Sequence, residues 1–227
     1  AFLPAFVTAL LWIFLNSSRV ITVEITGMSF PIFTLTGTFI WQIITQSLNT
    51  TMTCVNSGKS LLTKLNFPRE SLLIHAFYTT MFNVAIMFVI TCIMIAFLGW
   101  KPTTSFVFFP LVILDLALIG TSLGLLFLVF FSLIADFSKL LTIGLQLLMY
   151  VSAVIFPKPP EKTVAYYVFN LNPLTHVVSF SRSIFVGVPL ENSLGFIIVS
   201  ISAFVLFIVG LIAYKIVMPI IIERMGS

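Results

Sequence analysis

Runs of about 20 apolar residues recur along the chain between short polar breaks, the length that an α-helix needs to cross a hydrocarbon core. Read in order, the pattern predicts a first span from Phe2 to Leu15 and a polar loop from Asn16 to Met28. A second span follows from about Phe30 to Thr53. The third and fourth run from Leu72 to Leu98 and from about Phe106 to Leu133, and the fifth from Leu140 to Phe156. A sixth runs from Leu194 to Met218, with a tail from Pro219 to Ser227. The first span is too short to cross alone, and the chain opens on Ala1-Phe2-Leu3-Pro4 without methionine; both features predict a missing upstream piece. The second span turns polar toward its end (Gln42, Thr45, Gln46, Ser47, Asn49, Thr50, Thr51), and such side chains must pair or face a cavity.

Two segments break the pattern. Cys54 to Leu72 holds Lys59, Lys64 and Arg69 against Glu70, with Leu61, Leu62, Leu65 and Phe67 between the charges and Pro68 as a stop. The leucines at spacings of three and four make one apolar face on a short helix, capped by Asn56 or Ser57. Two readings fit: a helix that docks a soluble partner, or a solvated loop whose cations meet lipid headgroups, and composition alone favours the loop. Pro157 to Ser193 has too many polar and proline breaks for a crossing, yet is rich in apolar groups. Pro173 divides it into two helix-sized pieces, Lys162 to Leu171 and Leu174 to Val186, which fits a re-entrant or interfacial hairpin.

Composition confirms the class: 59% of the residues are hydrophobic and 8% charged in 227, against roughly 25% charged in globular domains. The fold class is an all-α integral membrane protein with six transmembrane helices and two short helices between the fifth and sixth. No soluble domain can be cut from it. A net charge of +4 therefore concerns headgroups and topology, not nucleic acid. Six spans place both ends on the side of the Cys54–Leu72 break. Lys59, Lys64, Arg69, Lys139, Lys215 and Arg224 lie on that side, and Arg19, Lys101, Lys158, Lys162 and Arg182 on the other. So even a division leaves the orientation open.

Candidate chemistry is sparse. Ser57-Gly58-Lys59-Ser60 looks like the tail of a phosphate-binding loop, but Thr53 stands where that motif needs its first glycine and a span precedes it instead of a strand. Cys54, Cys92, His75 and His176 show no metal-ligand spacing, and no catalytic grouping stands out. Asp115 is the one acid well inside a span. It suits a proton relay or a hydrogen-bonded structural role, and the lack of a second buried ionisable group favours the latter. The 25 phenylalanines are mostly lipid-facing filler. Phe2, Phe6, Phe14, Gln146, Tyr150 and Phe156 remain candidates to line a substrate path.

The order of motifs carries a resemblance. Phe30-Pro31-Ile32-Phe33 leads through Gly37 to Trp41; Asn56 and Leu61-Leu62-Thr63-Lys64 precede Phe67-Pro68-Arg69-Glu70. Asp136, Gln146, Ser152-Ala153-Val154-Ile155 and Asn172-Pro173-Leu174-Thr175 follow. The whole chain resembles the ABC-2 type permease family, in particular the branch that exports lipid-linked polysaccharides such as O antigens, capsules and teichoic acids. The resemblance implies the ABC-2 (type V exporter) fold and a permease without a catalytic site of its own, paired with itself in a homodimer. Two ABC ATP-binding subunits would bind the ATP and Mg, so this chain needs no cofactor. It also implies a bacterial cytoplasmic (inner) membrane location and a lipid-linked glycan substrate.

Residues 54–72 then match a cytoplasmic coupling helix (Lys59, Leu61, Leu62, Lys64, Leu65, Phe67, Pro68, Arg69, Glu70), which places both ends in the cytoplasm. Residues 157–193 match a pair of gate helices on the far side, with Tyr166, Tyr167, Asn172, Pro173, His176 and Arg182 as gate residues. Two departures stand out. Ala135-Asp136 replaces Arg-Asp, which removes an ion pair at that turn. Ser152-Ala153-Val154 replaces Ser-Pro-Val, which predicts a straighter end to the fifth span because proline would kink it. The alternatives are an ABC-2 exporter of small molecules or drugs and, in a different class, a non-ABC ion-driven flippase built on Asp115. A membrane-embedded enzyme is a poor third.

Overall fold

A computed structural model describes residue 14 and residues 28–58, 68–133 and 137–226. These residues form helices. α1 spans Phe30–Ser57 and α2 Glu70–Phe97. A 3-10 turn, Thr104–Phe108, leads into α3, Phe109–Leu133, and α4 covers Phe137–Val151. The short helices α5, Val164–Leu171, and α6, Pro173–Val186, precede α7, Ser193–Gly226. The long helices alternate in direction. One end of the molecule, the hairpin end, gathers the start of α1, the end of α2, the starts of α3 and α7, the end of α4, and α5–α6. The opposite, break end holds the Gly58 and Pro68 sides of the polar break.

α1 is the centre, packed between α2 and α3, with α7 on the outer side of α3. Its apolar side chains Ile40, Ile43, Ile44, Leu48 and Met52 are fully buried. Most of its hydroxyls are satisfied within the helix: Thr36 and Thr38 donate to the carbonyls of Ile32 and Thr34 at 2.7 and 2.6 Å, and Ser47 donates to Ile43 at 2.7 Å. A helix can therefore carry this many Ser and Thr residues in an apolar setting without stranding a donor.

The α1–α3 seam is tight because of Gly120 and Gly124. A Cβ at Gly120 would sit 2.3 Å from the Ile44 carbonyl oxygen, and one at Gly124 would sit 2.7 Å from that of Leu48. Gly120-Thr121-Ser122-Leu123-Gly124 is the small-xxx-small pattern that lets membrane helices approach backbone to backbone, where lipid supplies no hydrophobic drive for association. By contrast, α2 and α7 expose Ile74, Phe82, Val89, Ile201, Phe204 and Ile212, apolar faces suited to acyl chains.

By length and composition, Glu70–Phe97, Thr104–Leu128 and Ser193–Pro219 are sufficient to cross a membrane. α1 is as long as α2 but polar along one face. α4, with 15 residues, is roughly 22 Å long, short of a core of about 30 Å. The expected first span lies outside the described residues except for Phe14, which is exposed.

Two boundaries differ from expectation. The fifth helix stops at Val151 and not at Phe156, so the predicted straight end is corrected: Ala153 takes the left-handed conformation at φ 53°, and residues 152–155 form a buried turn. The last helix does not stop at Met218. It continues through Pro219 to Gly226, because a proline on an exposed helix face costs one hydrogen bond and a bend without forcing a stop. The phenylalanines are also not all filler. Phe39, Phe88, Phe106, Phe109, Phe185 and Trp100 form one packed cluster, with Phe109 and Phe185 edge to face at 4.6 Å and Trp100 stacked on Phe185 at 5.4 Å.

Candidate functional site: a polar face at membrane depth and its two ends

From Gln42 onward, the positions of α1 that remain accessible are Gln42, Thr45, Gln46, Asn49, Thr50, Thr53, Asn56 and Ser57, all polar. The buried positions between them include Ile43, Ile44, Leu48 and Met52. This is the amphipathicity of a helix that meets water, set between helices whose open faces are apolar. Gln46 Oε1 is buried without a hydrogen-bond partner. On α4, Thr142, Gln146 and Tyr150, four residues apart, form an exposed polar stripe beside the equally exposed Leu140, Ile143 and Leu147, and none of its residues is buried. A Cβ at its Gly144 would meet nothing within 4 Å.

The path candidates separate accordingly. Gln146 and Tyr150 stand open on α4, whereas Phe156 is half-buried against the main core. Phe14 is exposed, and Phe2 and Phe6 lie outside the described residues. Asp115 is elsewhere, accepting a 2.8 Å hydrogen bond from Ser200 Oγ on α7, in keeping with a hydrogen-bonding role between α3 and α7.

At the hairpin end, α6 holds the turn after α4. Asn172 caps α6, its Oδ1 accepting from the Leu174 N–H at 3.0 Å. Pro173 follows at the first helical position, where its missing N–H costs nothing. The Asn172 Nδ2 donates to the Val151 carbonyl at 3.3 Å and to Ser152 Oγ at 2.8 Å, and Thr175 Oγ1 donates to the same carbonyl at 3.3 Å. Two turns on, Arg182 is buried. Its Nη2 donates to Ala153 and Val154 carbonyls at 2.7 and 3.0 Å, and its guanidinium lies 3.6 Å from the centroid of the Phe33 ring. Gly37 makes room: a Cβ there would lie 2.2 Å from the Val154 oxygen and 2.3 Å from Arg182 Nη2.

The remaining gate candidates serve the hairpin itself. His176 Nε2 is 2.9 Å from the Asn170 carbonyl, tying α6 to α5. Tyr166 and Tyr167 pack edge to face at 5.9 Å, with Tyr167 exposed. In the loop before α5, burial pulls the Lys158 ammonium below its ordinary range, and Glu191 partly offsets this.

At the break end, Pro68, Arg69 and Glu70 are exposed and begin α2; Lys59, Leu61, Leu62, Lys64, Leu65 and Phe67 lie outside the described residues. The Arg69 carbonyl accepts from Tyr214 Oη on α7 at 2.8 Å. A small cluster of Cys54, Val55, Leu72, Ala76, Leu125, Leu128, Tyr214 and Met218 closes this end. A cavity of about 350 Å³ opens between the end of α1 and the start of α2, lined by Thr50, Thr53, Ser57, Ser71, His75 and Thr79 among others. His75 is thus a polar wall at the helix ends, and Ser57-Gly58 closes a helix and has no strand before it, which removes the phosphate-loop reading.

Sequence reasoning missed Tyr214, the Gly120/Gly124 notch and the acceptor carbonyls of residues 151–154. The notch was open to detection as small residues four apart in an apolar run. The carbonyls carry no residue-type signal at all.

The chain matches the ABC-2 type transporter family over residues 1–186. A relative, the polysialic acid transport protein KpsM of Escherichia coli, is 24% identical over 191 residues, covering 83% of this chain and 73% of that protein. An all-helical architecture among the described residues, three helices long and apolar enough to cross a membrane and a family match across most of the chain agree: this protein belongs to the ABC-2 type transporter family, whose members are membrane subunits of ABC transporters and not enzymes.

Proposed function

We propose that the chain is the permease subunit of an ATP-driven exporter that moves a lipid-linked polysaccharide across the bacterial cytoplasmic membrane. It would act as a homodimer with two ATP-binding subunits docked at the break end. The observation that carries this reading is the α1 face: the accessible positions from Gln42 to Ser57 are all polar on a helix packed between two apolar helices long enough to span a membrane. A sugar chain sheds many hydroxyl–water bonds on entering an apolar pore, so its path has to stay wet and rich in hydrogen-bonding groups. Gln42, Gln46 and Asn49 of α1 and Thr142, Gln146 and Tyr150 of α4 supply that surface. The name of the Escherichia coli relative supports a polysaccharide as cargo.

The mechanism is mechanical. ATP binding draws the partner subunits together, the Lys59–Phe67 segment moves with them, and the permease copies shift about their interface. The test is co-purification with the cognate ATP-binding subunit, followed by ATPase and glycan transport assays in proteoliposomes. A stable complex is expected, whose ATPase coupling is lost in Leu62→Asp and Phe67→Ala while the membrane fold persists. Full coupling in both variants would remove the docking role. A complex that hydrolyses ATP and moves drug-sized molecules but no glycan would replace the cargo.

A further inference from the structure

The turn that ends α4 raises a question that its own sequence does not answer. Residues 152–155 are buried, and Ala153, in the left-handed region, directs carbonyls out of any helical ladder. Buried carbonyls need donors. All the donors described for this turn come from α6: Asn172 and Thr175 for Val151, and Arg182 for Ala153 and Val154. Asn172, Thr175 and Arg182 lie on one face of α6, so the helix presents a row of donors to a row of acceptors.

Arginine suits the last position. Its guanidinium is more weakly hydrated than an ammonium and can bond carbonyls while lying on an aromatic face. Its seat is formed by Phe33 and Gly37 of α1, the most buried helix. Its Nε is buried without a hydrogen-bond partner, so its bonds to the turn come from Nη2, with the Phe33 ring on one face and the Glu191 carboxylate as countercharge.

The rest of α4 contrasts with this. It has no buried residue, and Gly144 faces open space. At its far end, ring contacts of Phe137 with Phe127 and Phe130, at 5.7 and 6.0 Å, touch α3. One end of α4 is pinned by directional bonds from α6, whose Arg182 is seated on α1, while the ring contacts described at the other end are apolar and can slide.

We propose that Arg182 is a positioning residue that fixes the Val151–Val154 turn as the pivot about which α4 swings during transport. The proposal rests on the reading above that α4 walls the path. α4 moves as a lever with its fulcrum at the hairpin end, and motion imposed at the break end changes the width of the path along Thr142 and Gln146.

The experiment is pulsed electron spin resonance on the complete complex in nanodiscs, with Cys54 and Cys92 replaced by alanine. One label pair, Leu148→Cys with Val168→Cys, reports the pivot; another, Leu140→Cys with Ile216→Cys, reports the swinging end. In the otherwise wild-type complex, ATP trapping is expected to leave the pivot distance unchanged and to shift the far distance. Arg182→Met is expected to abolish the single narrow pivot peak, and Arg182→Lys, which still brings donors to the carbonyls, to restore it.

A pivot distance that moves with nucleotide, or a far distance that stays fixed in a complex hydrolysing ATP, overturns the proposal. So does a narrow pivot peak in Arg182→Met. Should that variant fail to fold, the wild-type pairs decide alone. If no ATP-binding subunit associates, the transport reading fails, and the pivot peak of the permease by itself still tests the pinning by Arg182.

Discussion

The two ends of this molecule are built differently. At the hairpin end, side chains from α6, its cap and the Trp100 loop bind backbone far away in sequence: Arg182 to residues 153 and 154, Asn172 to Val151, and Trp100 Nε1 to the Val186 carbonyl at 3.2 Å. Six aromatic rings pack beneath them. At the break end, Tyr214 bonds the Arg69 carbonyl over a small apolar cluster. Directional bonds hold one geometry, while apolar contacts tolerate sliding at little cost. The contrast suits a machine that is pushed from the break end and must keep its far-side hairpin in register.

The largest effect that would test this contrast is Phe185→Ala. Phe185 touches Phe39, Phe88, Trp100, Phe106 and Phe109, and its loss should cost about 3–5 kcal/mol. The readout is a large drop in the melting temperature of the purified protein and loss of a monodisperse chromatographic peak. A small drop would mean that the aromatic cluster does not hold the hairpin end. Asn172→Ala comes next, at about 1–2 kcal/mol for the lost cap and the bonds to the turn. Protease sensitivity should appear in the 157–163 loop, read by limited proteolysis and mass spectrometry.

Tyr214→Phe removes a long-range bond of the break end and should cost about 1 kcal/mol or less. If it destabilises more than Asn172→Ala, the ranking of the two ends is reversed. The smallest stability change is expected for Asn49→Leu, an accessible position on the α1 face, within about 0.5 kcal/mol. Its effect should fall on transport, with glycan flux reduced while ATP hydrolysis persists. Unchanged flux would remove that face from the path.

The legible parts of the fold are those written in residue type. Apolar runs placed α1, α2 and α3 to within a few residues and α7 at its start, and Pro173 divided the hairpin where α5 gives way to α6. The polar end of the second span pointed to a path or helix contacts, and the structure sets Gln42, Gln46 and Asn49 on its accessible face. What stayed hidden depends on the backbone. Alanine seldom adopts φ 53°, so nothing in Ser152-Ala153-Val154 announces a turn; the partners that stabilise it come from 20 to 29 residues away. Arg182 was legible as a hairpin residue but not as a clamp, because its acceptors are carbonyls that any sequence would supply. Pro219 misled in the opposite direction, reading as a stop in a helix that runs on.

The glycine notch in α3 has one more consequence. Where two backbones meet with no side chain between them, neither helix can turn about its own axis without a collision at Gly120 or Gly124. α1 and α3 therefore serve as a single beam, and a coordinate frame fixed to that pair stays still while its surroundings move. Any displacement in this protein, whether caught by labels, crosslinks or a second conformation, is best expressed in that frame.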